Sequence, residues 1–165
     1  MRATLCLLAL GVLALAMPLA AQPARTEVTK ATTPLDDSKP NSDQVPEVYA
    51  INGQFERMVV LRFKHQADLL AGLEKMVQQQ KIRNAVILAG AGSLRNYHIH
   101  TVSNRDSPSR NVYTRDESAP ADIVSINGYV IDGRVHAHMT LVNPDKAFGG
   151  HVEPGNRVFT FAIVT

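Results

Sequence analysis

Six histidines stand in this 165-residue chain, and five of them fall in a pattern suited to holding a metal ion. His98 and His100 form one H-x-H pair, His136 and His138 form a second, and His151 follows Gly149-Gly150. On a strand, residues i and i+2 share a face with their Cα atoms about 7 Å apart, so both imidazoles can converge on one ion. Three histidines with an open fourth position make a catalytic or exchangeable zinc site. Nickel and copper also accept such nitrogens. Each ligand must be a neutral imidazole, so binding should fade below about pH 6.5. The bland alternative is that an H-x-H pair is simply polar decoration on a half-exposed strand. His65, alone before the main helical segment, reads as a capping or surface residue.

The second pair permits a sharper deduction. Asp132-Gly133 between two β-rich runs is a two-residue hairpin signal. It pairs Val130 with Val135, Tyr129 with His136, Asn127 with His138 and Ile126 with Met139. One face of the ribbon then carries Ile126, Gly128, Val130, Val135, Ala137 and Met139, and commits to the core. The other carries Asn127, Tyr129, His136 and His138. Metal ligands are therefore expected at His136, His138 and His151. Gly149-Gly150 would let the backbone bring His151 close to that face. Asn127, Tyr129, Glu153, His98 and His100 are candidate accessory residues. If a metal-bound water did chemistry, Glu153 would be the nearest candidate base; no catalytic residue is otherwise assigned.

These residues need a scaffold. Residues 57–64 alternate as a strand, with Val59, Leu61 and Phe63 on one face. Leu69, Leu70, Leu73, Met76 and Val77 recur at helical spacing and predict a helix over 66–81, with Asp68 in its first turn. The apolar run 84–89 suits a strand buried on both faces, and Gly90-Ala91-Gly92-Ser93 a turn into a strand over 94–102. Residues 103–121 read as a surface loop with a short strand near 111–114. Strands follow at 123–131 and 134–142, a loop at 143–155, and a closing strand at 157–165. The expected fold is α+β: a mostly antiparallel sheet of about six strands packed on one main helix.

The N-terminus has a different character. Arg2, the apolar run 5–15 and Ala20-Ala21 read as a secretory signal peptide over 1–21. That run is shorter than the ~20 residues a membrane span needs, and no later segment could span. Residues 22–47 contain Pro23, Pro34, Pro40 and Pro46 and few large apolar side chains, so they read as a disordered linker. The folded domain is expected over 48–165, in an exported protein, periplasmic or secreted. The single cysteine, Cys6, lies inside the signal, which excludes disulfides and thiolate chemistry from the mature chain. Without Arg2, sixteen basic side chains face fifteen acidic ones. That balance makes nucleic acid an unlikely partner.

The run INGYVIDGRVHAHMTLVNPDKAFGGHVEPGNRVFTFAIV resembles the C-terminal signature of the plant-and-prokaryote-conserved (PPC) domain. The upstream ERMVVLRFKHQADLLAGLEKMVQQQKIRNAVILAGAGSL is similar to its strand, helix, buried strand and Gly-Ser-Leu turn. The resemblance covers residues 55–165. It implies a compact α+β domain assembling as a homotrimer, with the family's histidines falling on His136, His138 and His151 as a metal site. Ala162 stands where the family usually carries a glutamate. In land plants the domain accompanies AT-hook motifs in DNA-binding proteins; this chain has no Arg-Gly-Arg core of that kind. The sequence thus points to an exported PPC-like protein binding zinc, another divalent metal or a small-molecule ligand. The alternatives are a zinc-dependent hydrolase or lyase, and a DNA-binding protein as in the plant branch.

Overall fold

The computed structural model describes residues 24–28, 44 and 46–165. The signal peptide expected at 1–21, and most of the expected linker, lie outside the described residues. Among the described residues no helix is long and apolar enough to cross a membrane.

Among the described residues, one helix and ten strands make up the fold, against the six or so strands expected. In chain order they are β1 (Ala24–Val28), β2 (Leu61–Lys64), α1 (Leu69–Gln79), β3 (Ala85–Ile87), β4 (Gly90–Leu94), β5 (Tyr97–Val102), β6 (Asn111–Asp116), β7 (Ala121–Ile131), β8 (Arg134–Val142), β9 (Ala147–Val152) and β10 (Val158–Val164). Nine strands lie along one path, β1-β6-β5-β9-β8-β7-β4-β10-β2, and β3 joins by pairing with β7. All the pairings are antiparallel.

The extra strands come from segments whose composition reads as turn or loop. Gly90-Ala91-Gly92-Ser93, expected as a turn, is most of β4, which lies between β7 and β10. The turn falls instead at Arg95-Asn96. Gly92 is required there because a Cβ would collide with the backbone of Phe161 and Ala162, and its φ is +158°. Residues 147–152, expected as loop, are β9. The run 84–89 is buried on one face only: Ile87 is buried, while Val86 and Leu88 are exposed. Ala24–Val28, within the span read as linker, pairs with β6, whose backbone groups would otherwise form an open edge.

The hairpin register is the one deduced from Asp132-Gly133. Both turn residues have positive φ, +47° and +78°, as a tight hairpin with right-twisted strands requires. Helix α1 begins one turn later than expected because Asp68 is its N-cap, accepting from the Ala71 N–H at 3.0 Å. Leu69, Leu73 and Val77 form its buried stripe, and the helix packs on β8 and β2. The core they join contains Ile126, Ala137, Met139, Leu141, Val152 and Val158. Each large aliphatic side chain buried there contributes roughly 1.5–3 kcal/mol. The H-x-H face of β8 is thereby turned outward, since Ala137 and Met139 are held inward.

Candidate metal centre

Three adjacent strands, β5, β9 and β8, bring the histidines together. His138 lies directly opposite His151, and His151 directly opposite His100. Directly opposed residues share a face, so an imidazole row crosses three strands. His136, two residues along β8, joins it from the side. Ring centroids are 5.1 Å apart for His136 and His138, 4.7 Å for His136 and His151, and 5.2 Å for His138 and His151. Nε2 of His136 and Nε2 of His138 are 3.2 Å apart. One ligand nitrogen from each of His136, His138 and His151 lies within 4.8 Å of the others.

A tetrahedral ion with ~2.1 Å bonds needs ligand nitrogens ~3.4 Å apart. The His136–His138 pair already meets that spacing. His136 and His138 are exposed, so small rotations of their rings can close the remainder without disturbing the core.

Residues 149–151 owe their place to being strand. A Cβ on Gly149 would strike the Met139 carbonyl of β8, and a Cβ on Gly150 would strike the His100 carbonyl of β5. The two glycines let β9 fit between its neighbours. The pair was expected to serve as a flexible turn; it serves as a thin strand.

Electrostatics favour neutral rings. The His151 pKa is lowered to about 4, first by burial and then by the neighbouring His100, His136 and His138, with Glu153 opposing. His138 is lowered as well, first by lost hydration and then by His136 and His100. Unprotonated imidazoles at neutral pH are ready ligands. All-nitrogen donors of this kind fit zinc and its late first-row neighbours.

The accessory residues divide. Asn127 and Tyr129 sit opposite His138 and His136 in the register, and both are exposed. Glu153 accepts a hydrogen bond from His100 Nδ1 at 2.5 Å, so the expected candidate base is already engaged with an imidazole. Burial raises its carboxyl pKa, but the His100 hydrogen bond and the nearby His100, His151 and His98 outweigh this and leave it lowered. His98 Nδ1 bonds the Pro154 carbonyl at 2.9 Å. His65, as expected, is exposed and away from the cluster, bonded to the Phe159 carbonyl.

Sequence reasoning missed Asn156. It is fully buried. Its Oδ1 accepts from the His98 N–H at 2.8 Å, and its Nδ2 donates to the carbonyls of His98 at 2.9 Å and Glu153 at 2.5 Å. It clamps the turn after β9 onto β5 and so sets Glu153 beside His100. The only sequence signal was the Pro154-Gly155-Asn156 turn.

The family model for the Plants and Prokaryotes Conserved (PCC) domain matches residues 50–165. The chain belongs to the PCC domain family. Among solved structures, a plant- and prokaryote-conserved protein from Pyrococcus horikoshii is 26% identical with a TM-score of 0.57, covering 70% of this chain and 82% of that one. A hypothetical protein from Salmonella cholerae-suis is 24% identical with a TM-score of 0.59, covering 68% and 78%. A metal-containing protein from Archaeoglobus fulgidus is 21% identical with a TM-score of 0.58, covering 71% and 83%. No curated protein matches the chain. The PCC domain thus accounts for the fold of β2 through β10, including the strands that carry the histidines.

Proposed function

We propose that this PCC-domain protein binds a divalent metal ion, zinc foremost, through His136, His138 and His151. The observation that carries the reading is the convergence of three ligand nitrogens within 4.8 Å on one sheet face. The lowered pKa of His151 and His138 supports it, because the rings are unprotonated where metals bind. The solved relative from Archaeoglobus fulgidus is described as metal-containing, which accords with it. Metal analysis of the purified protein tests the proposal. Zinc or another late divalent metal near one per chain is expected, with loss in a chain carrying His136→Ala and His138→Ala. Equal metal content in both proteins would end it.

The reading includes self-association as a trimer and export. Phe161 and Ile163 on β10 and Val124 on β7 are exposed, which supports a sheet face that buries itself against another copy. Light scattering should give three times the chain mass; a monomer mass would remove the claim. Export rests on Arg2, the apolar run 5–15 and Ala20-Ala21. N-terminal sequencing of the exported protein should start near Gln22, and an intact Met1 would refute it.

A further inference from the structure

We propose that His100 supplies a fourth imidazole to the same ion, with Glu153 fixing its orientation. The inference rests on the three-histidine reading and deepens it. His100 is the direct cross-strand partner of His151, and their ring centroids are 4.6 Å apart at an interplanar angle of 31°. On its other side His100 pairs with Tyr113 of β6, whose ring centroid is 5.2 Å away. The ring is thus held between two neighbours along the row, outside the 4.8 Å cluster of the other three donors, so the exposed rings of His136 and His138 must turn toward it for all four to share an ion.

Its two nitrogens have different fates. Nδ1 is hydrogen-bonded to Glu153 Oε1 at 2.5 Å, and both side chains are largely shielded from solvent. A carboxylate accepts and does not donate, so in the neutral ring the proton sits on Nδ1 and the lone pair on Nε2. Metal-ligating histidines commonly present one nitrogen to the ion while the other donates to a carboxylate, which fixes tautomer and ring orientation. Glu153 stands in that relation to His100. It is itself fixed: its N–H donates to the His98 carbonyl at 3.2 Å, and Asn156 holds its carbonyl. His98, on the same face, is turned elsewhere, with Nδ1 on Pro154 and its ring 5.9 Å from Tyr113.

A fourth nitrogen changes what the site does. Three histidines leave an open position for water, whereas four close a tetrahedral shell. An all-imidazole shell is neutral, and Glu153 would place one negative charge just outside it. Such a site retains an ion and does not activate a water.

X-ray absorption on the full chain loaded with zinc counts the imidazoles directly and needs no variant. Four are expected in the wild type. His100→Phe keeps a ring between Tyr113 and His151 but has no nitrogen; it should show three and bind zinc more weakly in competition with a chelator. Glu153→Gln should weaken binding about 10–100-fold, and His98→Ala should leave both readouts unchanged. Three imidazoles in the wild type, with unchanged affinity in His100→Phe, would overturn the fourth ligand and leave the three-histidine site standing. Zinc bound equally with and without His136 and His138 would overturn the reading beneath it.

Discussion

His151 lies directly opposite His138 on one side and His100 on the other, at the centre of a row that crosses β8, β9 and β5. These residues are 13 and 51 positions away in the chain, and each arrives on a different strand. The site is therefore a property of strand order, and its stability is coupled to how tightly β9 is held between its neighbours.

The first prediction separates ligands from scaffold. His136 and His138 are exposed on the face opposite Ala137 and Met139. Substituting both by alanine should abolish zinc binding in calorimetric titration. The metal-free fold should change by no more than about 0.5 kcal/mol per site, as is usual for surface substitutions. Collapse of the circular dichroism signal in the double variant would show that the rings serve the fold.

Acidification should destabilise the metal-free protein. The His151 pKa falls from 6.5 in a free side chain to about 4 in the fold, so the unfolded chain binds more protons between those values. Stability is then fully present above about pH 6.5 and is lost as pH falls toward 4. The full shift corresponds to at most about 3 kcal/mol, less where solvent reaches the ring. Denaturant titrations at pH 7, 5.5 and 4 should show the decline. In His151→Gln the decline should shrink. A pH-independent midpoint in the wild type would contradict the assignment.

Gly150 is a steric requirement of the site. A Cβ there would strike the His100 carbonyl. Gly150→Ala should cost roughly 1–3 kcal/mol, the usual range for overpacking. Because the collision lies between β9 and β5, metal affinity should drop in parallel with the melting temperature. Gly133→Ala is the control for glycine loss without crowding: nothing lies within 4 Å of its Cβ position, and its φ of +78° predicts a stability loss from strain alone. Metal affinity should survive in that variant.

Asn156 should matter well beyond its size. Asn156→Ala leaves the His98 amide and the Glu153 carbonyl without this partner inside a buried turn, and leaves the His98 carbonyl with the Glu153 N–H alone. The expected cost is about 1–3 kcal/mol or more. Asn156→Asp should recover only part of it, since a carboxylate can accept from His98 but cannot donate to two carbonyls. Amide hydrogen exchange at His98 should accelerate in both variants. Unchanged exchange in Asn156→Ala would mean the clamp is dispensable.

The sequence by itself determined the hairpin of β7 and β8, its register and its committed face. The reason is local: Asp132-Gly133 fixes a two-residue turn, and the period of two then assigns every side chain to a face. It determined α1 through the spacing of Leu69, Leu73 and Val77, and it singled out His136, His138 and His151. Only the tertiary structure decided that Gly149-Gly150 is strand. Glycine-rich segments read as turns because glycine has weak strand preference; here the close approach of β8 and β5 selects it, and that pressure comes from chain segments remote in sequence. Strand order was equally beyond the sequence, since nothing in residues 97–102 marks them as the neighbour of 147–152. That adjacency set His100 against His151 and Glu153 against His100. Pairing between distant strands depends on the packing of the whole sheet, and no local pattern of residue types encodes it.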